Sequence, residues 1–273
     1  MKRLLILFVI VINCTLVATA QENVAENDMK RFQDAVASAD TLKIRSLQKE
    51  YLANIEFYSK GASKDEDAYL FYNLMSGLSH LSIAECKEAI PYCTIAYEGY
   101  SKLRSHTSVE EKSLSELTGS LGICHAYSQN PREAVHYASL SVKHAQKSKM
   151  DSQVTLSKFW LVQVYYQIGQ YPKSYKTIRQ IKTKVEDNLS YQSFPEIYTD
   201  ILNEMSKLAI NNNQFSKIKE YYDELNYILK KYPKSNAANL VGDKFVIELV
   251  TYALKHDISM ANELISELLR SEY

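Results

Sequence analysis

Apolar residues along this chain recur three and four apart, and the runs break at regular intervals. The pattern is clearest over residues 153–181. Leu161, Val162, Tyr165 and Ile168 lie at helical spacing. Gly169 follows them, and glycine tolerates the left-handed conformation that closes a helix. Tyr171 and Pro172 then open a second helix, because proline suits a first turn. Ser174, Ile178 and Ile181 give that helix a narrow apolar stripe. A lone hairpin of this size cannot bury both faces, so it requires neighbours of its own kind.

Such neighbours are predicted on either side. Residues 21–27 read as a loose polar approach. Residues 28–36 and 41–58 read as two helices, with Phe32, Val36, Leu42, Ile44, Leu47, Tyr51 and Ile55 as their apolar positions. They form an N-terminal capping pair within 21–62. A repeat domain over 63–273 then pairs 68–83 with 85–103, 109–127 with 131–147, the two helices within 153–181, 194–210 with 214–232, and 237–255 with 259–269. Ser63 with Glu66, and Ser108 with Glu111, have capping-box spacing. Asn130-Pro131-Arg132-Glu133 supplies a cap, a first-turn proline and an acid near the positive helix end. Ser193-Phe194-Pro195-Glu196 starts the next hairpin in the same way.

One small or apolar residue aligns the second helices: Ala89, Ala134, Ser174, Ile218 and Ala261, at intervals of 45, 40, 44 and 43. Further small or apolar residues follow each anchor after four and seven positions. Gly77 and Gly122 sit equivalently in two first helices. Glycine inside a helix costs about 1 kcal/mol relative to alanine, so two at matching places imply close approach of the partner helix. Self-similarity at this period predicts an all-α fold, an α-solenoid of about five to six antiparallel helix pairs.

Composition agrees. Only 7 Gly and 5 Pro occur in 273 residues, few breakers for so long a chain. Tyrosine is abundant, at 21 against 8 Phe and 1 Trp. It suits helix seams that are apolar inside and wet at the edge. The N-terminus reads as an export signal over 1–20. Met1-Lys2-Arg3 is basic, Leu4 to Ile12 is apolar, and Ala18-Thr19-Ala20 is a small-x-small cleavage site. Val11-Ile12-Asn13 fits poorly before Cys14 as a lipid attachment site. No later segment is apolar enough to span a membrane. Losing Lys2 and Arg3 with the leader leaves 30 basic against 32 acidic residues. A near-neutral chain without a basic run argues against nucleic acid as the partner.

Three cysteines follow the leader, Cys86, Cys93 and Cys124, an odd number that makes no disulfide framework. Cys86 and Cys93 are seven apart on one helix, a rise of roughly 10 Å that a bridge cannot span. Buried free thiols are the better reading, with a Cys93–Cys124 bridge between neighbouring hairpins as the alternative.

No catalytic or nucleotide-binding motif occurs. His80 and His125 hold equivalent places in neighbouring first helices. A metal set of His80, Cys93, Cys124 and His125 lacks any familiar ligand spacing. The simpler reading is that two histidines replace a seam aromatic. Glu110-Glu111 and Glu186-Asp187 read as solvated dipole partners at helix ends. No enzyme activity, cofactor or metal is expected.

The repeated residues resemble the tetratricopeptide repeat (TPR) family. Gly77, Gly122, Gly169-Gln170-Tyr171, Asn213-Gln214-Phe215, Ala89, Ala96, Ala134 and Tyr222 fit its pattern. The family's first-helix tryptophan is missing, its last-turn proline has a counterpart only near Pro233, and the period exceeds 34 residues. Leader and tyrosine-rich composition resemble exported TPR proteins of Bacteroidota, which implies a periplasmic or cell-surface location in a Gram-negative bacterium. The resemblance implies a right-handed solenoid whose first helices line a concave groove. Its positions here would include Phe71, Leu74, Leu78, Ile123, Tyr127, Phe159, Gln163, Tyr166, Asn203 and Lys207. Aromatic anchors with a few amides suit an extended peptide or partner helix. The same positions are also spaced to pack against the chain's own N-terminal pair. The expected function is a non-enzymatic exported scaffold that binds a protein or peptide. The alternatives are the sensory ectodomain of a TPR-containing membrane regulator, and an exported glycan-binding or enzymatic protein on a similar frame.

Overall fold

The computed structural model describes residues 22–60, 65–102, 106–186, 193–212, 214–233 and 235. Among them are ten α-helices and no strand. The predicted leader over 1–20, Ser63, Asp187, Asn213, and the fifth hairpin with its anchor Ala261 lie outside the described residues. The chain divides into two compact units, Met1–Gln170 and Tyr171–Tyr273. The division falls between the two helices that the sequence pairs as its third hairpin.

The first unit holds α1 (Glu22–Ala37), α2 (Thr41–Tyr58), α3 (Glu66–Ser82), α4 (Cys86–Tyr100), α5 (Ser108–Tyr127), α6 (Pro131–Ser148) and α7 (Asp151–Gln167). The stretch expected to be loose before residue 28 is helical from Glu22. Its anchor is Asp28, buried within α1. The Tyr72 hydroxyl of α3 donates to Asp28 at 3.1 Å and Arg31 donates at 3.0 Å. Arg31 also donates twice to Glu50 of α2, each at 2.8 Å.

Two predicted caps are displaced. Asp65 caps α3, its carboxylate accepting from the Ala68 amide at 2.9 Å. The α5 capping box is Thr107 with Glu110, one residue ahead of the Ser108–Glu111 pair read from sequence. Thr107 Oγ1 accepts from the Glu110 amide at 3.2 Å, and Glu110 Oε2 accepts from the Thr107 amide at 2.5 Å. That shift of one residue releases Glu111 to turn inward. Asn130 precedes α6 without a side-chain cap bond, and Pro131 opens the helix.

The turns repeat in geometry. Ala39, Ala84, Gln129 and Gly169 have left-handed backbones, with φ of 52°, 65°, 60° and 76°. They lie 45, 45 and 40 residues apart. Behind each, the next amide reaches back five residues: Asp40 to the Ala35 carbonyl at 3.0 Å, Glu85 to His80 at 2.9 Å, Asn130 to His125 at 2.9 Å and Gln170 to Tyr165 at 2.8 Å. These bonds satisfy carbonyls that a helix end would leave orphaned. Ala39 places α1 and α2 in the same register as the later pairs, which the apolar pattern alone did not show.

The described anchors are fully buried. Ala89, Ala134, Ser174 and Ile218 are each 0% exposed, and the residues four and seven positions on are buried as well. Gly77 and Gly122 let two second helices approach closely. A Cβ on Gly122 would lie 2.9 Å from the Ala138 amide nitrogen and 3.1 Å from the Ala134 carbonyl oxygen. One on Gly77 would lie 2.4 Å from Cys93 Sγ.

α5 is enclosed by α4, α6 and α7. Every residue from Ser113 to Ala126 is buried, polar ones included. The serines satisfy each other there. Ser115 and Ser157 hydroxyls are 2.7 Å apart, Ser141 donates to the Ser115 carbonyl at 2.7 Å, and Gln153 donates to Ser115 Oγ at 3.2 Å. Small hydroxyls that pair across helices let backbones approach without leaving a buried group unbonded.

The second unit contributes α8 (Tyr171–Glu186), α9 (Phe194–Asn211) and α10 (Phe215–Lys231), with α9 packed on both others. Ile178, Tyr198, Ile201, Leu202, Ile218 and Ile228 fill its core. Polar ties run around it. Glu224 accepts from Tyr175 at 3.0 Å and also from the Tyr198 hydroxyl. Glu186, expected to be solvated, is held by Tyr227 at 3.2 Å and Lys231 at 2.9 Å.

Candidate functional site

The predicted groove positions separate into two kinds. Phe71, Leu74 and Leu78 lie on α3 and are sealed in the main core cluster. Ile123 belongs to a second cluster with Trp160 and Val164. Phe159 on α7 is also buried. These five have no surface to offer: α3 and α5, which carry four of them, are buried almost all round rather than along one stripe, and Phe159 faces inward from α7. Tyr127 is the exception, 41% exposed at the end of α5. Gln163 and Tyr166 are half-buried near the end of α7, which packs directly against α5. Asn203 and Lys207 lie on α9 in the second unit. Asn203 is buried, whereas Lys207 is exposed and donates to Glu204 at 2.8 Å.

The two equivalent histidines stack on tyrosines. His80 lies on Tyr92 with centroids 5.6 Å apart, and His125 lies on Tyr137 at 5.3 Å, both within 5° of parallel. Both partners recur at the same interval of 45. Burial lowers the pKa of His125. His80 Nδ1 is 2.7 Å from Glu85 Oε2, and Arg45 donates to the same carboxylate at 3.1 Å. Among the described residues, no group of three or more His, Cys, Asp or Glu side chains is placed to hold a metal ion.

Sequence reading missed one constellation. Glu111 of α5, His144 of α6 and Tyr97 of α4 form a line. His144 Nδ1 is 2.6 Å from Glu111 Oε2, and the Tyr97 hydroxyl is 3.3 Å from His144 Nε2. Lys147 Nζ adds an ion pair to Glu111 at 3.4 Å. Desolvation lowers the His144 pKa although Glu111 opposes it. Neutral imidazole therefore donates from Nδ1 to the carboxylate and accepts at Nε2 from Tyr97. Burial also raises the Tyr97 pKa, so its hydroxyl stays protonated and is no activated nucleophile. The order carboxylate, imidazole, hydroxyl is that of a catalytic triad, but here it joins three helices. Glu111 was expected to be solvated; nothing in its local sequence marks it as inward-facing except the capping shift.

No family model, no curated protein and no solved structure matches this chain.

Proposed function

We propose that this chain is a non-enzymatic helical-repeat scaffold that binds a protein or peptide partner. The observation that carries this reading is the recurrent left-handed turn at Ala39, Ala84, Gln129 and Gly169, each closed by the same five-residue bond. Helix pairs that repeat in register generate extended surface, on which several weak contacts act together. Tyr127, Gln163 and Tyr166 supply that surface on the packed pair α5 and α7. Tyrosine gives large contact area with few rotatable bonds, and the amide fixes orientation. Beneath that pair, Ile123 of α5 packs with Trp160 and Val164 of α7. The leader over 1–20 delivers the scaffold to the periplasm or cell surface.

The test is selection of binding peptides from a random library, followed by titration against wild type and a Tyr127→Ala/Tyr166→Ala variant of unchanged helical circular dichroism. At least tenfold weaker binding by the variant is expected. Equal binding by both forms would remove these residues from the site.

A further inference from the structure

The outer side of α2 differs from that of the other second helices. Ala39, Ala84 and Gln129 set α2, α4 and α6 in one register, 45 residues apart. Ile44, Leu47, Gln48 and Tyr51 are the buried stripe of α2. Opposite that stripe, within an arc of roughly 80°, lie Leu42, Ser46, Lys49, Ala53 and Phe57, all exposed. Leu42 is 84% exposed and Phe57 58%. The places of Leu42, Ala53 and Phe57 are taken by Lys87, Glu98 and Lys102 one step along the array, and by Arg132, Lys143 and Lys147 two steps along. Those six are exposed and charged. α2 thus presents apolar groups where its counterparts present charge. The Phe57 ring has a fixed support. Tyr58 meets it edge to face at 5.0 Å between centroids, and Tyr58 stacks in turn on Tyr72 of α3 at 5.7 Å.

Charge narrows what could cover that side. The carboxylates around it are committed within the chain. Asp40 accepts from the Lys43 amide at 3.0 Å, Glu50 takes two bonds from Arg31, Glu56 accepts from Lys60 at 3.0 Å, and Glu85 is held by Arg45. Lys43 and Lys49 are exposed and form no ion pair among the described residues. The charge left over is therefore positive. Leu42 and Phe57 stand about 22 Å apart along the helix axis, with Lys49 between them. A second copy fits poorly. An antiparallel pairing that sets each Leu42 on the other copy's Phe57 brings both Lys49 ammoniums to the centre. A flat anionic boundary takes the two apolar ends and the lysines together. We propose that α2 docks on an anionic lipid surface. Leu42 and Phe57 enter the acyl boundary, while Lys43 and Lys49 lie along it and pair with headgroup phosphates. The contact is peripheral: no helix among the described residues is long and apolar enough to cross a membrane.

The chain without its leader, residues 21–273, keeps every described residue and is the form to test. It is sedimented with sucrose-loaded vesicles of mixed phosphatidylcholine and phosphatidylglycerol, and with vesicles of phosphatidylcholine alone. Affinity for the anionic vesicles is expected to be roughly tenfold or more above that for the neutral ones, and to fall as salt is raised. Leu42→Ser/Phe57→Ser and Lys43→Glu/Lys49→Glu are each expected to lose roughly tenfold or more of it. All four side chains are exposed, so helical circular dichroism should be unchanged. Tyr127→Ala/Tyr166→Ala lies off α2 and should bind vesicles as wild type does, which separates this surface from the peptide site. No retention, equal retention of wild type and both α2 variants, or equal retention by both kinds of vesicle would overturn the proposal. So would a dimer in light scattering that Leu42→Ser/Phe57→Ser abolishes, which would give the face to a second copy. Binding of a soluble helical peptide of Leu and Glu in place of the vesicles would give it to a protein, and would overturn the proposal as well.

Discussion

Gly122 lies so close to Ala138 that one added methyl would sit 2.9 Å from the Ala138 amide nitrogen. The obstacle is backbone, which cannot rotate aside as a side chain can. Gly122→Ala is predicted to destabilise the fold by about 1–3 kcal/mol through overpacking, more than the gain in helix propensity returns. Urea unfolding of the variant checks it. An unchanged or raised midpoint would mean that α5 and α6 can part without penalty.

The turns predict substitutions of opposite sign. Ala84 bears a Cβ at φ 65°, a conformation that costs L-residues roughly 1–2 kcal/mol. Ala84→Gly is therefore expected to raise stability by up to about 1 kcal/mol. Gly169 has open space around it and φ 76°, so Gly169→Ala should lose about 1 kcal/mol through strain alone. Thermal melts of the two variants should move in opposite directions, and a shared direction would remove the turns as the cause.

Glu116 carries a pH signature. It is buried, neither of its oxygens has a hydrogen-bond partner, and Lys112 is 3.6 Å away. Desolvation raises its pKa from 4.5 to about 7. Between those values the unfolded chain has released a proton that the folded chain keeps. Stability from this group thus falls as pH rises through the interval, by roughly 3 kcal/mol in all, and is level above it. Glu116→Gln is predicted to be more stable than wild type at pH 8 and little changed at pH 4.5. Equal differences at both pH values would show that Glu116 titrates normally.

The Glu111–His144 pair invites a double-mutant cycle. Each partner is buried, so removing either leaves the other's polar atom unpaired. Glu111→Ala and His144→Ala are each expected to cost about 1–3 kcal/mol, with the double variant losing clearly less than their sum. Additive losses in denaturant unfolding would mean that the 2.6 Å contact contributes nothing.

The sequence exposed the helices and their spacing because turn chemistry and small anchors are local signals. Gly169, Pro131 and the Ala89–Ala134–Ser174–Ile218 series could be read directly, and all four described anchors are fully buried. Binding surface was harder to read. A helix enclosed on every side shows no stripe, so Phe71, Leu74, Leu78 and Ile123 looked like an accessible face and are core. Polar content misled in the opposite direction. Glu111, Ser115 and Ser157 look like surface residues until their partners on other helices are known. Tyr97 and His144 are 47 positions apart, and no one-dimensional pattern links them.

The left-handed turns have one more consequence, for how such a chain can change length. Ala39, Ala84 and Gln129 present the same backbone direction and the same closing bond. Excising the 45 residues between adjacent ones would rejoin like ends, with an acid or amide still following the splice. Insertions and deletions in whole steps of that size are the ones the architecture accommodates, while a deletion of half a step would reverse the direction of every helix after it.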